Sequence, residues 1–182
     1  MEYILYKKKI LSSLRKEIEL INYPLSYAND FNDFNNNLNF NCYAYALGLK
    51  TKDDFEFVLK SALSIYDPGT ISGFDTIDEK KLILYDEKKL IEAFFADCDV
   101  LGIKCISTSI DSNVSSDASK VAIYIEPKSE IIRDFHFARQ NIDGTWSNMV
   151  GAGGPVSVLY DNEVERIPGY NFLGAYSLKK KK

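Results

Sequence analysis

The strongest constraint on what this chain can fold into is a change of period after its midpoint. Up to Leu101 the apolar residues recur at three- and four-residue spacing; from Lys104 onward they alternate. Ile10, Leu11, Leu14, Ile18 and Ile21 predict an amphipathic helix over Leu5–Ile21, closed by Pro24. Asn29–Asn39 reads as a polar surface loop. Cys42–Leu49 reads as the start of a short buried helix, capped by Asn41 and ended early by Gly48. A weaker helix is expected over Phe55–Ile65, then a turn at Asp67-Pro68-Gly69 and a loop over Thr70–Thr76. Asp86–Leu101 is a helix carrying Leu90, Ile91, Phe94, Phe95 and Cys98 on its apolar side, with Gly102 ending it. Strands follow over Lys104–Thr108, Val121–Glu126, Ile132–Gln140, Thr145–Val150, Val156–Tyr160 and Asn171–Leu178, with a polar loop over Asp111–Ser119. Helices first and a mostly antiparallel sheet second is an α+β pattern.

At 182 residues, 46% of them hydrophobic, the chain is expected to form a single domain over 1–182, with a helical arm at about 1–24. The net charge of −4 comes from acids and bases mixed along the chain, without the basic stripe of a nucleic-acid binder. No apolar run reaches membrane-spanning length. Met1–Tyr6 is mildly apolar, but Lys7–Lys9 come after it, the reverse of a secretory signal. The expectation is a protein cytoplasmic in the producing cell, exported only by a dedicated secretion system. Cys42, Cys98 and Cys105 are odd in number and lack metal spacing, which implies reduced thiols. With one histidine, no Cys-x-x-Cys pair, no His-Glu-x-x-His and no phosphate loop, neither metal nor cofactor is expected.

Two stretches carry chemistry. Phe40–Leu47 places Cys42 after Asn41 at a predicted helix start; Asp134–Gly151 holds His136, the only histidine. A thiol nucleophile needs a base within reach, and the base needs an orienting group on its other ring nitrogen. A helix N-terminus and an imidazolium would both lower the Cys42 pKa. If Asn141–Gly144 is a type I turn with a bulge at Gly144, Asn148 opposes Ala138, diagonal to His136 and on its face. Asn148 would then orient the imidazole; Asp134, two residues before His136, is the rival. Asn41 and Tyr43 are further candidates for polarising a carbonyl near Cys42, and Gln140 and Trp146 for lining the substrate cleft.

The run N-C-Y-A-Y-A followed by D-F-H-F-A-R-Q-x-x-D-G-T-W-S-N resembles bacterial papain-like cysteine peptidases, and more distantly NlpC-type cell-wall peptidases. Its pattern is near N-C-Y-A-Y-A…D-Y-H-F-Y-R-Q-x-x-D-G-x-W-S-H-K-P-G. The match is good over Asn41–Leu49 and Asp134–Gly151 and loose over Asn171–Tyr176. The resemblance implies a papain-like or NlpC-like fold with the catalytic Cys at a helix N-terminus. It also implies a Cys42–His136–Asn148 triad cleaving an amide in a peptide, a protein or a peptidoglycan stem, in an effector or toxin. Asn148 stands where the pattern has His, Met149 and Val150 where it has Lys-Pro, and Ala138 where it has an aromatic. Two other outcomes use the same residues: an acyltransferase or deamidase, and an inactive papain-fold binding module. The sequence leaves substrate and oligomeric state open.

Overall fold

The computed structural model describes residues 18–20, 41–51, 67–74, 86–127, 134–151 and 154–181. The helix expected over Phe55–Ile65 lies outside the described residues, as does most of the one expected over Leu5–Ile21. The described part of the latter is not helical: Ile18–Leu20 is a strand, β1, pairing antiparallel with β2, Leu49–Thr51. The helical period does not hold at this end because a partner strand takes its backbone groups, and tertiary pairing overrides propensity. Between them in sequence stands α1, Cys42–Leu47.

The remaining elements are α2 (Glu87–Val100), β3 (Ile103–Thr108), β4 (Ala118–Ile125), β5 (Phe135–Gln140), β6 (Trp146–Met149), β7 (Val156–Leu159), α3 (Asp161–Val164) and β8 (Asn171–Lys180). Six strands form one antiparallel sheet in the order β3-β8-β4-β5-β6-β7. The expected α+β class with a mostly antiparallel sheet is therefore observed. β4 starts at Ala118, two residues inside the expected loop, and all eight of its residues are buried, as befits a central strand. Among the described residues, no helix is long and apolar enough to cross a membrane.

α2 begins where Asp86 accepts a hydrogen bond from the Lys89 N–H at 2.7 Å. Leu90, Ala93, Phe94, Asp97 and Cys98 form its buried side. Phe94 stacks among Phe137 and Tyr176 of the sheet; burying such a ring contributes about 2 kcal/mol. α1 has six residues, too few to be stable alone. It is held by packing: Cys42 through Leu47 are all buried. Ala44 and Ala46 let it lie close on β5 and β6, and Gly48 at φ 62° stops it in the left-handed conformation a Cβ disfavours.

The sheet has two distinct faces. Phe137, Val121, Ile123, Met149 and Leu178 point toward α1 and α2 and share one core with them. Ala122, Tyr124, Ala138, Trp146 and Ala175 point the other way, into a second core closed by Ile110 and Val164.

Candidate active site

β5 is fixed between β4 and β6 by register. His136 pairs with Tyr124, and Ala138 with both Ala122 and Asn148. The hairpin is the bulged one: Gly144 takes φ 89° and its N–H reaches Asn141 O at 3.0 Å, while Asn141 N–H reaches Thr145 O at 2.7 Å. His136 and Asn148 therefore share the face of Ala138. The Asn148 side chain stands 2.9 Å from His136 Nε2, through Nδ2. Asn148 Oδ1 is buried with no hydrogen-bond partner. Turning the carboxamide by half a revolution about its last bond brings Oδ1 to the ring, where it accepts from Nε2–H. The two orientations demand opposite imidazole tautomers, and only the second leaves Nδ1 without a proton.

The imidazole is 7% exposed. The Tyr124 ring lies 6.0 Å from it and the Tyr170 ring 5.4 Å, centroid to centroid. Asp134, the alternative orienter, is directed elsewhere: Oδ2 accepts from the Tyr170 hydroxyl at 2.8 Å and Oδ1 from the Phe135 N–H at 2.8 Å. Burial pulls the His136 pKa from 6.5 down to about 4, against a smaller upward pull from the Asp134 charge.

Cys42, 5% exposed, is the first residue of α1, where Asn41 accepts the Ala44 N–H at 3.0 Å. Its position follows from a gap in the β5–β6 ladder. Pairing runs from Gln140/Trp146 through Arg139/Ser147 and ends at Ala138/Asn148. The next rung would use Phe137, and there the Phe137 N–H is near enough to the Cys42 sulfur to favour its ionised form. The thiol in turn donates to Phe135 O at 3.9 Å. Cys42 thus lies at the edge of β5 that β6 vacates, beside the main chain of both neighbours of His136.

The thiol pKa is pushed up to about 12, from 9.0, chiefly by burial. The Phe137 and Tyr43 N–H groups pull it down, and the Asp134 and Asp67 charges push it up. This reverses the expectation of a depressed thiol. The helix is short, the site is largely buried, and the imidazole is itself neutral, so neither expected source of positive potential acts.

The other sequence candidates divide. Tyr43 is fully buried and donates its hydroxyl to Asp97 at 2.8 Å, so it braces the helix. Asn41 spends its side-chain oxygen on the cap. Gln140 donates to Gly144 O at 3.0 Å and Trp146 is 1% exposed; both sit at the turn end of the hairpin, four residues or about 13 Å along β5 from His136. Sequence reasoning missed two residues. Asp97 accepts from Tyr43, from Gly69 N at 2.7 Å and from Ser72 N at 2.6 Å, tying the 67–74 turn to the turn that carries Cys42. Its signal is an acid on the apolar side of α2, three residues after Phe94. Tyr170, the cover on His136, comes from a loop with no motif and left no such signal. Among the described residues, no three His, Cys, Asp or Glu side chains are grouped to hold a metal.

Searches for a matching family model, a matching curated protein and a matching solved structure each find none.

Proposed function

We propose that this chain is a papain-like cysteine hydrolase acting on an amide bond, with Cys42 as nucleophile, His136 as base and Asn148 as the group orienting it. One observation carries the reading. Asn148 meets His136 Nε2 at 2.9 Å while the Cys42 thiol bonds the main-chain carbonyl of Phe135, next to His136. Asn148 is thus beside the His136 ring, and Cys42 lies against the main chain of the strand that carries it.

The resting pair is neutral, so the chemistry is general-base attack, with the proton moving as the bond forms. The sulfur attacks the carbonyl carbon and its proton passes to His136. The imidazolium then protonates the leaving amine, and a thioester remains on Cys42. His136 next takes a proton from water as the water oxygen attacks the thioester, and the acid leaves with the thiol restored. Each attack opens the C=O bond and leaves the negative charge on the carbonyl oxygen until the leaving group departs; the Phe137 and Tyr43 N–H groups favour the partial negative charge on the sulfur as it loses its proton and again as it leaves the thioester carbon. Transfer to an amine in place of water gives acyl transfer from the same thioester; attack on a glutamine side chain gives deamidation. The substrate class that fits is a peptide or protein.

A second reading, a binding module on the same fold, is favoured by one feature: burial holds both partners in their uncharged forms. A peptide-like electrophile read cysteine by cysteine by mass spectrometry separates the two. The hydrolase reading expects adduct on Cys42 in preference to the more exposed Cys105, and its loss in His136→Ala. Adduct formation on Cys42 at the same rate without His136 would sink it.

A further inference from the structure

The turn of the β5–β6 hairpin and the loop entering β4 enclose a hollow of about 400 Å³. Cys42, His136 and Asn148 do not line it. Lys120 and Trp146 do, and both are 1% exposed.

A lysine in the middle of a wholly buried strand is costly unless its charge is met. Lys120 Nζ donates to Ile110 O at 2.5 Å and Ser112 O at 2.6 Å and lies 5.7 Å from the centre of the Trp146 ring. Two of its three protons are spent on neutral carbonyls. Among the described residues, no carboxylate is within ion-pair distance of it. The Asp111 charge acts on Lys120 without pairing with it; the third donor calls for an anion, and the hollow is at the small end of the volumes that hold organic ligands. Asp111 and Asp161 also line it, both exposed. Two acids oppose a doubly charged phosphate but suit an ammonium.

We propose that this hollow is a second binding site, for a small zwitterion of the α-amino acid class. The ligand carboxylate takes the third donor of Lys120, and the ligand ammonium faces Asp111 and Asp161. The site is independent of the chemistry at Cys42.

Trp146 is the only tryptophan in the chain and lines this hollow, so its emission reports on what enters it. Its emission is followed while the protein is titrated with each common amino acid, acetate and inorganic phosphate. The expected result is a saturable change with at least one amino acid. Lys120→Met should weaken that binding by about tenfold or more. The surface pair Asp111→Asn/Asp161→Asn should weaken the amino acid while leaving acetate no weaker. The proposal is overturned if no amino acid gives a saturable change, if phosphate binds more tightly than all of them, or if folded Lys120→Met binds as well as the parent. Should Lys120→Met not fold, unchanged amino acid affinity in the double variant overturns it instead.

Discussion

The two faces of the sheet are built by different rules. On the helix face, most polar groups are internal ties. Tyr43 and Asp97 join α1 to α2, the Tyr45 hydroxyl bonds Ser147 Oγ at 2.7 Å, and the Arg139 guanidinium lies 4.1 Å from the Tyr45 ring centre. On the opposite face, the polar groups of β4, β5 and β6 keep capacity to spare: Asn148 Oδ1 has no partner, and Lys120 has a donor left over. Buried polar groups satisfied within the fold stabilise it, and those left short are where chemistry or a ligand enters. Cys42 belongs to the helix face by sequence but reaches the other through the gap beside Phe137. A substitution on the helix face should therefore move stability, and one on the other face reactivity.

The largest effect expected is on the second face. If His136 is the base for a thiol whose pKa lies near 12, His136→Ala should lower the rate of Cys42 acylation by about a thousandfold; stopped-time mass spectrometry of the adduct checks it. Next comes the helix face: Asp97→Ala strands two buried donors and one half-buried one and should cost about 3 kcal/mol or more in urea unfolding, without selectively slowing acylation in the molecules still folded. An equal loss from an exposed site such as Asp99→Ala would break the contrast.

The pH dependence of stability sharpens it. His136 protonates near 6.5 in the unfolded chain but only near 4 in the native one. The native fold therefore holds its full stability above about 6.5 and loses it as pH falls toward 4, by up to about 3 kcal/mol. In His136→Gln that slope should flatten in urea titrations across the same window. Asn148→Ala should slow acylation by about ten- to a hundredfold with a small change in stability. The smallest effect is Tyr45→Phe, which removes the buried hydroxyl that meets Ser147 and Arg139 and should cost about 1 kcal/mol in thermal or urea unfolding.

Legibility in the sequence followed how local the determinant is. The limits of α2 were readable because Asp86 and Gly102 act within a turn of it. The facing of Ala138 and Asn148 was readable because a four-residue turn with a left-handed glycine sets it. Ile18–Leu20 misled because three residues fit a helical stripe and a strand equally well. Tyr170 over His136 and the position of Asp97 under the 67–74 turn depend on contacts across tens of residues, which spacing does not encode. The Cys42 pKa was misread for the same reason: helix start and histidine are local signs, but burial belongs to the whole fold.

β8 carries a different consequence. It lies between β3 and β4 and pairs with both along most of its length, so the strand latest in sequence is the keystone of the sheet. Until residues 171–180 insert, β3 is separate from the β4–β7 meander, and the two inner rims stand open as templates for other chains. Assembly of the base-bearing layer is thus a late, long-range event. A chain cut before Asn171 would be prone to aggregate, even though every residue of the candidate triad would still be in it.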